Sequence, residues 1–90
     1  MPIMNFKLLK NHLHTGNDLG RAHTHIQFID ALNLAIAAPR CKGITYNRKV
    51  KTAYLHTKIV EGKIVNDENP FGPTSTKHRW HDLVILTDRQ

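Results

Sequence analysis

Hydrophobic spacing changes period along this chain, and each period predicts an element. Residues 3–10, IMNFKLLK, alternate: Met4, Phe6 and Leu8 share one face, Asn5 and Lys7 the other, as in a first strand. Residues 11–22 break the alternation with Asn, Asp, Gly and Thr and are expected to form a loop. Phe28, Leu32, Ala35 and Ile36 then recur at helical spacing and predict a buried stripe. Ala31, Ala35, Ala37 and Ala38 favour helix, and Asp30 can accept backbone N–H bonds at its positive end. Pro39 stops the run, so the expected helix covers residues 29–38.

Period two returns after the proline. Residues 43–48 and 52–60 predict two strands. In the second, Ala53, Leu55 and Ile59 point one way and Thr52, Tyr54, His56 and Lys58 the other. Glu61-Gly62 is expected to turn the chain back into a hairpin strand at Lys63-Ile64-Val65. Residues 66–79, NDENPFGPTSTKHR, read as a long polar loop. Residues 83–86 are continuously apolar, as in a strand covered on both faces or central in a sheet. One helix covers one face only. The expected fold is therefore α+β: a single antiparallel sheet of four or five strands, order roughly β-α-β-β-β, with the helix packed on one face. The other face is expected to be wet or to meet a second copy, which leaves a homodimer through that face open.

Composition narrows the picture. Ninety residues make one domain, 1–90, with one modest core. Thirteen Lys and Arg against seven Asp and Glu give a net charge of +6, which favours polyanions or an acidic protein surface. The single cysteine, Cys41, cannot form an internal disulfide or a Cys-rich zinc site. No apolar run approaches the ~20 residues that cross a bilayer, and the start resembles no signal peptide. A cytoplasmic protein without a membrane partner is expected. The glycines at 16, 20, 43, 62 and 72 form no phosphate-binding motif, and no cofactor is expected.

Seven histidines supply the candidate chemistry. His12, His14, His23 and His25 form two H-x-H pairs that would suit a first-row metal on strands, but thiolate and carboxylate partners are scarce and the segment reads as a loop. Exposed loop histidines are the simpler reading. A metal-independent ribonuclease would need a general base, a general acid and a cation. His56, Lys58, His78 and His81 are the candidates if the last strand runs beside residues 52–60. Cys41 stands between Arg40 and Lys42, which would lower a thiol pKa, although a small residue after a helix is more often structural.

Charge patterning gives the leading expectation. No acid occurs between Ala31 and Val60, while Arg48, Lys49 and Lys51 crowd one turn beside Tyr46, Tyr54 and His56. Such a hairpin can hold phosphates by charge and bases by stacking. The leading reading is a non-enzymatic domain binding nucleic acid or a nucleoprotein through Arg48, Lys49, Lys51 and Tyr54, with Lys58 and Arg79 in support. The plain alternative is a solvated hairpin whose lysines protect sheet edges. A compact phage- or mobile-element-type inhibitor of a larger host machine is a further class, resting on size and charge alone.

Overall fold

A computed structural model describes residues 5–66 and 80–90. Strands β1 (Lys7–Lys10) and β2 (His12–His14) precede helix α1 (Phe28–Ala37). Then come β3 (Gly43–Asn47), β4 (Thr52–His56), a 3-10 turn (Glu61–Lys63), β5 (Ile64–Asn66), β6 (His81–Ile85) and a closing 3-10 turn (Thr87–Arg89). The main sheet has the order β1-β6-β3-β4, with every pairing antiparallel, and β2 and β5 form a separate antiparallel ribbon. The α+β architecture with one helix on the sheet is as expected. β6 lies inside the sheet, which explains why residues 83–86 are apolar throughout.

The register sorts the side chains. Ile44 and Tyr46 of β3 stand opposite Leu55 and Ala53 of β4 and opposite Val84 and Asp82 of β6. The apolar members of these rows join Ala31, Leu32 and Ala35 of the helix in one buried cluster, with Phe28 packed against it. Ile36 is exposed and Ala31 takes its place, because a small side chain lets the helix approach the sheet. Asp30 sits in the first turn, but the cap position is Gln27 and makes no side-chain bond. At the other end Arg89 serves as an unexpected cap. Its Nη1 donates to the carbonyls of Ala35, Ala38 and Cys41 at 2.8, 2.8 and 3.2 Å, satisfying acceptors a helix end leaves free.

Four expectations are corrected. The predicted first strand begins at Lys7, with Met4 outside the described residues, and Phe6 and Leu8 are exposed because no helix covers this edge. Residues 11–22 are no simple loop. They contain β2, and the chain after it runs along the free edge of β4, through bridges Asp18↔His56 and His23↔Ala53 and the bond from Leu19 N–H to Leu55 O at 2.7 Å. The strand predicted over 52–60 ends at His56, and Ile59 folds to the opposite face from Leu55, against Gly43. A Cβ at Gly43 would lie 2.6 Å from the Val84 carbonyl oxygen, so only glycine fits there. Finally, Glu61-Gly62 makes no hairpin with β4, since β5 pairs with β2 in the register His12↔Asn66.

That ribbon changes the second sheet face. β2 packs across β3 and β6, so the face expected to be wet or dimeric is partly covered by the chain itself. Among the described residues no helix is long and apolar enough to cross a membrane.

Candidate functional site

Where the ribbon stops short of covering the sheet, a cleft of about 350 Å³ remains. Thr45 of β3 and His56 of β4 form its floor, while Tyr54 and His81 flank it from the sheet. Leu13 and His14 of β2, and Thr15, Gly16 and Asp18 after it, supply the opposite wall. Gly16 makes the turn there with a φ of 76°, a left-handed conformation that suits glycine.

The floor is a closed polar network. His56 is 1% exposed. Its Nδ1 lies 3.0 Å from the Gly16 carbonyl, which only accepts, so Nδ1 carries the proton and donates. Nε2 then accepts from the Thr45 hydroxyl at 2.8 Å, and that oxygen accepts the His14 N–H at 3.0 Å. The His14 ring lies 4.7 Å from the His56 ring, centre to centre, and its Nε2 accepts the Val60 N–H at 2.9 Å. His14 Nδ1 is buried and has no partner in hydrogen-bonding geometry. Burial is the main force on both imidazoles. With His14 beside it, it pushes His56 down to about 4, against Asp18 and the Gly16 carbonyl. It also lowers His14, helped by Lys63 and opposed by the Gly16 carbonyl and Asp18. Both shifts favour the neutral imidazole at pH 7.

Asp18 stands at the rim. Its Oδ1 lies 3.4 Å from His56 Nδ1 and its side chain is 54% exposed. Tyr54 is 38% exposed.

The ribonuclease candidates separate. His56 and His81 both line the cleft, although β6 pairs with β3 and not with β4, the adjacency on which that candidate set was conditional. His81 Nε2 lies 3.4 Å from Asn47 Nδ2. Lys58 lies past the end of β4, exposed and outside the cleft. His78 and Arg79 lie outside the described residues. His56 has both nitrogens engaged, and burial closes off His14.

No match to this chain comes from family models, curated proteins or solved structures. The site therefore stands on its geometry alone.

The two H-x-H pairs do not converge. His12 and His14 lie on β2, whereas His23 pairs with the outer edge of β4. Among the described residues no group of three metal-ligating side chains assembles. Cys41 is buried, its Sγ 3.2 Å from the Gly43 carbonyl. Burial raises that thiol, against the opposing pull of the Gly43 and His56 backbone and Arg89, which disfavours the thiolate a nucleophile needs.

The hairpin turn is ordered by its own residues. Asn47 Oδ1 accepts the N–H groups of Lys49 and Val50 at 2.9 and 3.2 Å. Arg48 turns inward: its Nε lies 3.4 Å from Asp82 Oδ2, and its Nη2 donates to Asn11 Oδ1 at 2.8 Å. Lys49 and Lys51 are exposed, with the Lys49 ammonium 5.4 Å from the Trp80 ring centre. The expected trio is thus one structural cation and two outward ones. Sequence reading missed Asp18, Thr45 and His14 as parts of one site. Their only local signal was the Gly16 turn.

Proposed function

We propose that the chain is a non-enzymatic nucleic-acid-binding domain. Lys49 and Lys51 at the β3–β4 turn hold phosphates, Tyr54 offers a stacking surface, and Lys58 supports at the far end of β4. One observation carries this reading. The only acid in β3, β4 and β6, Asp82, is 8% exposed and already paired with Arg48, so the outward lysines of the turn are left uncompensated by those strands. Uncompensated cations beside an exposed aromatic ring suit a phosphate backbone with accessible bases. Closure of His56 and His14 weighs against acid–base cleavage, because a proton-transfer group must reach its substrate.

The test is a titration of labelled single- and double-stranded RNA and DNA with the protein and with Lys49→Glu/Lys51→Glu. Samples are also run on a denaturing gel. The expected result is binding with intact strands, strongly weakened in the double variant while its circular dichroism is unchanged. Equal binding by the variant would overturn the hairpin assignment. Shortened strands would mean a nuclease. No binding to any bare nucleic acid would transfer the cationic turn to a protein partner.

A further inference from the structure

We propose that the cleft beside the hairpin takes one unpaired nucleobase bearing an amino group, and that Asp18 selects it. The inference rests on the nucleic-acid reading and names what that site prefers.

The size of the cleft sets the first limit. About 350 Å³ lies at the lower end of small-ligand sites, enough for a single ring system and too little for a large cofactor. Its lining sets the second. Tyr54, His81 and Leu13 offer aromatic and apolar surface, and among the described residues no lysine or arginine lines it. A phosphate would face the Asp18 carboxylate, and the nearest ammonium, Lys63, is already bonded to Asn17 Oδ1 at 3.2 Å beside the Gly16 turn. A neutral planar group meets stacking surface instead. Lys51 ends the turn that leads into β4, three residues before Tyr54, so a backbone held at the turn delivers its base to the cleft.

Asp18 then decides which base. The cross-strand bridge to His56 fixes its backbone, and its carboxylate makes no other hydrogen bond or ion pair among the described residues. A carboxylate only accepts. Cytosine and adenine present exocyclic amino donors to it, and guanine presents imino and amino donors together. Uracil and thymine flank their single imino N–H with two carbonyl oxygens, which a carboxylate repels. The cleft therefore favours amino-bearing bases in single strands. A duplex, whose bases are stacked and paired, cannot fill it.

Equal-length oligo(dC), oligo(dA) and oligo(dT) are titrated at pH 7.5 and fixed salt with the protein, Asp18→Asn, Tyr54→Ala, Tyr54→Phe and Lys49→Glu/Lys51→Glu. The protein is expected to bind oligo(dC) and oligo(dA) about tenfold more tightly than oligo(dT). Asp18→Asn abolishes that ratio, since an amide both donates and accepts. Removing a negative charge raises affinity for every strand equally, so the ratio is the readout. Tyr54→Ala weakens single-strand binding about tenfold while duplex binding is kept, and Tyr54→Phe restores it. Equal affinity for the three strands, or a preference that survives Asp18→Asn, overturns the inference. If only the lysine double variant loses binding, the phosphate site stands and the base pocket falls. If the protein binds no strand at all, both fall.

Discussion

Protonating His56 would destabilise the fold in two ways, because Nε2 would lose its role as acceptor for Thr45 and a cation would be buried on the cleft floor. The sign of the pH effect follows. An unfolded histidine titrates near 6.5, whereas burial and the neighbouring His14 hold folded His56 down to about 4. Below pH 6.5 the unfolded chain takes up a proton that the folded chain refuses. The His56 contribution is thus complete above 6.5 and lost as pH falls from there toward 4, a difference on the order of 3 kcal/mol. His14, also lowered by burial, acts in the same direction. Thermal melts from pH 7.5 to 4.5 should show Tm falling steadily from about pH 6.5. His56→Gln should be less stable at pH 7 but show a shallower fall. A wild-type Tm that is flat down to pH 5 would contradict the buried neutral pair. None of this was legible in the sequence. His14 and His56 are 42 positions apart, and nothing local marks either as a floor residue rather than an exposed ring. The pairing of Arg48 was hidden for the same reason, since its partner Asp82 comes from the last strand.

Short elements escaped the sequence where long ones did not. Helix α1 was readable because apolar spacing, four alanines and Pro39 act within one stretch, and β3 and β4 because their alternation is local and their turn is short. β2 and β5 have three residues each and find one another across 50 to 54 positions, so their pairing is a tertiary fact. The hairpin turn is the element where binding and stability can be separated. Lys51 holds a φ of 52°, a left-handed conformation that costs an ordinary side chain about 1 kcal/mol. Glycine relieves that strain, and its greater freedom in the unfolded chain offsets part of the gain. Lys51→Gly should leave Tm unchanged or a few degrees higher while weakening nucleic-acid binding several-fold. A Tm loss beyond ~5 °C would show that the Lys51 side chain supports the fold.

Net charge acts on the whole molecule, and it competes with the hairpin as an explanation of any affinity for polyanions. The formal charge of +6 alone attracts nucleic acid to any part of the surface. Charge-matched variants distinguish the two. Lys49→Glu/Lys51→Glu and Lys7→Glu/Lys10→Glu each change the total by the same amount. The second pair is exposed on β1, at the opposite edge of the sheet from β4. Diffuse attraction predicts equal losses. A local site predicts a difference that the salt dependence measures directly, since log affinity falls against log salt with a slope of roughly −0.7 per phosphate contact on single strands. Contacts from Lys49, Lys51 and Lys58 give a slope near −2, or about a fifteenfold loss between ~50 and ~200 mM salt. Reversing Lys49 and Lys51 should bring the slope to about −0.7, whereas reversing Lys7 and Lys10 should leave it near −2 with only modest weakening. Identical slopes in the two variants would mean that the turn has no privileged place in binding. The path from Lys51 past Tyr54 to Lys58 would then have no claim over any other basic surface of the protein.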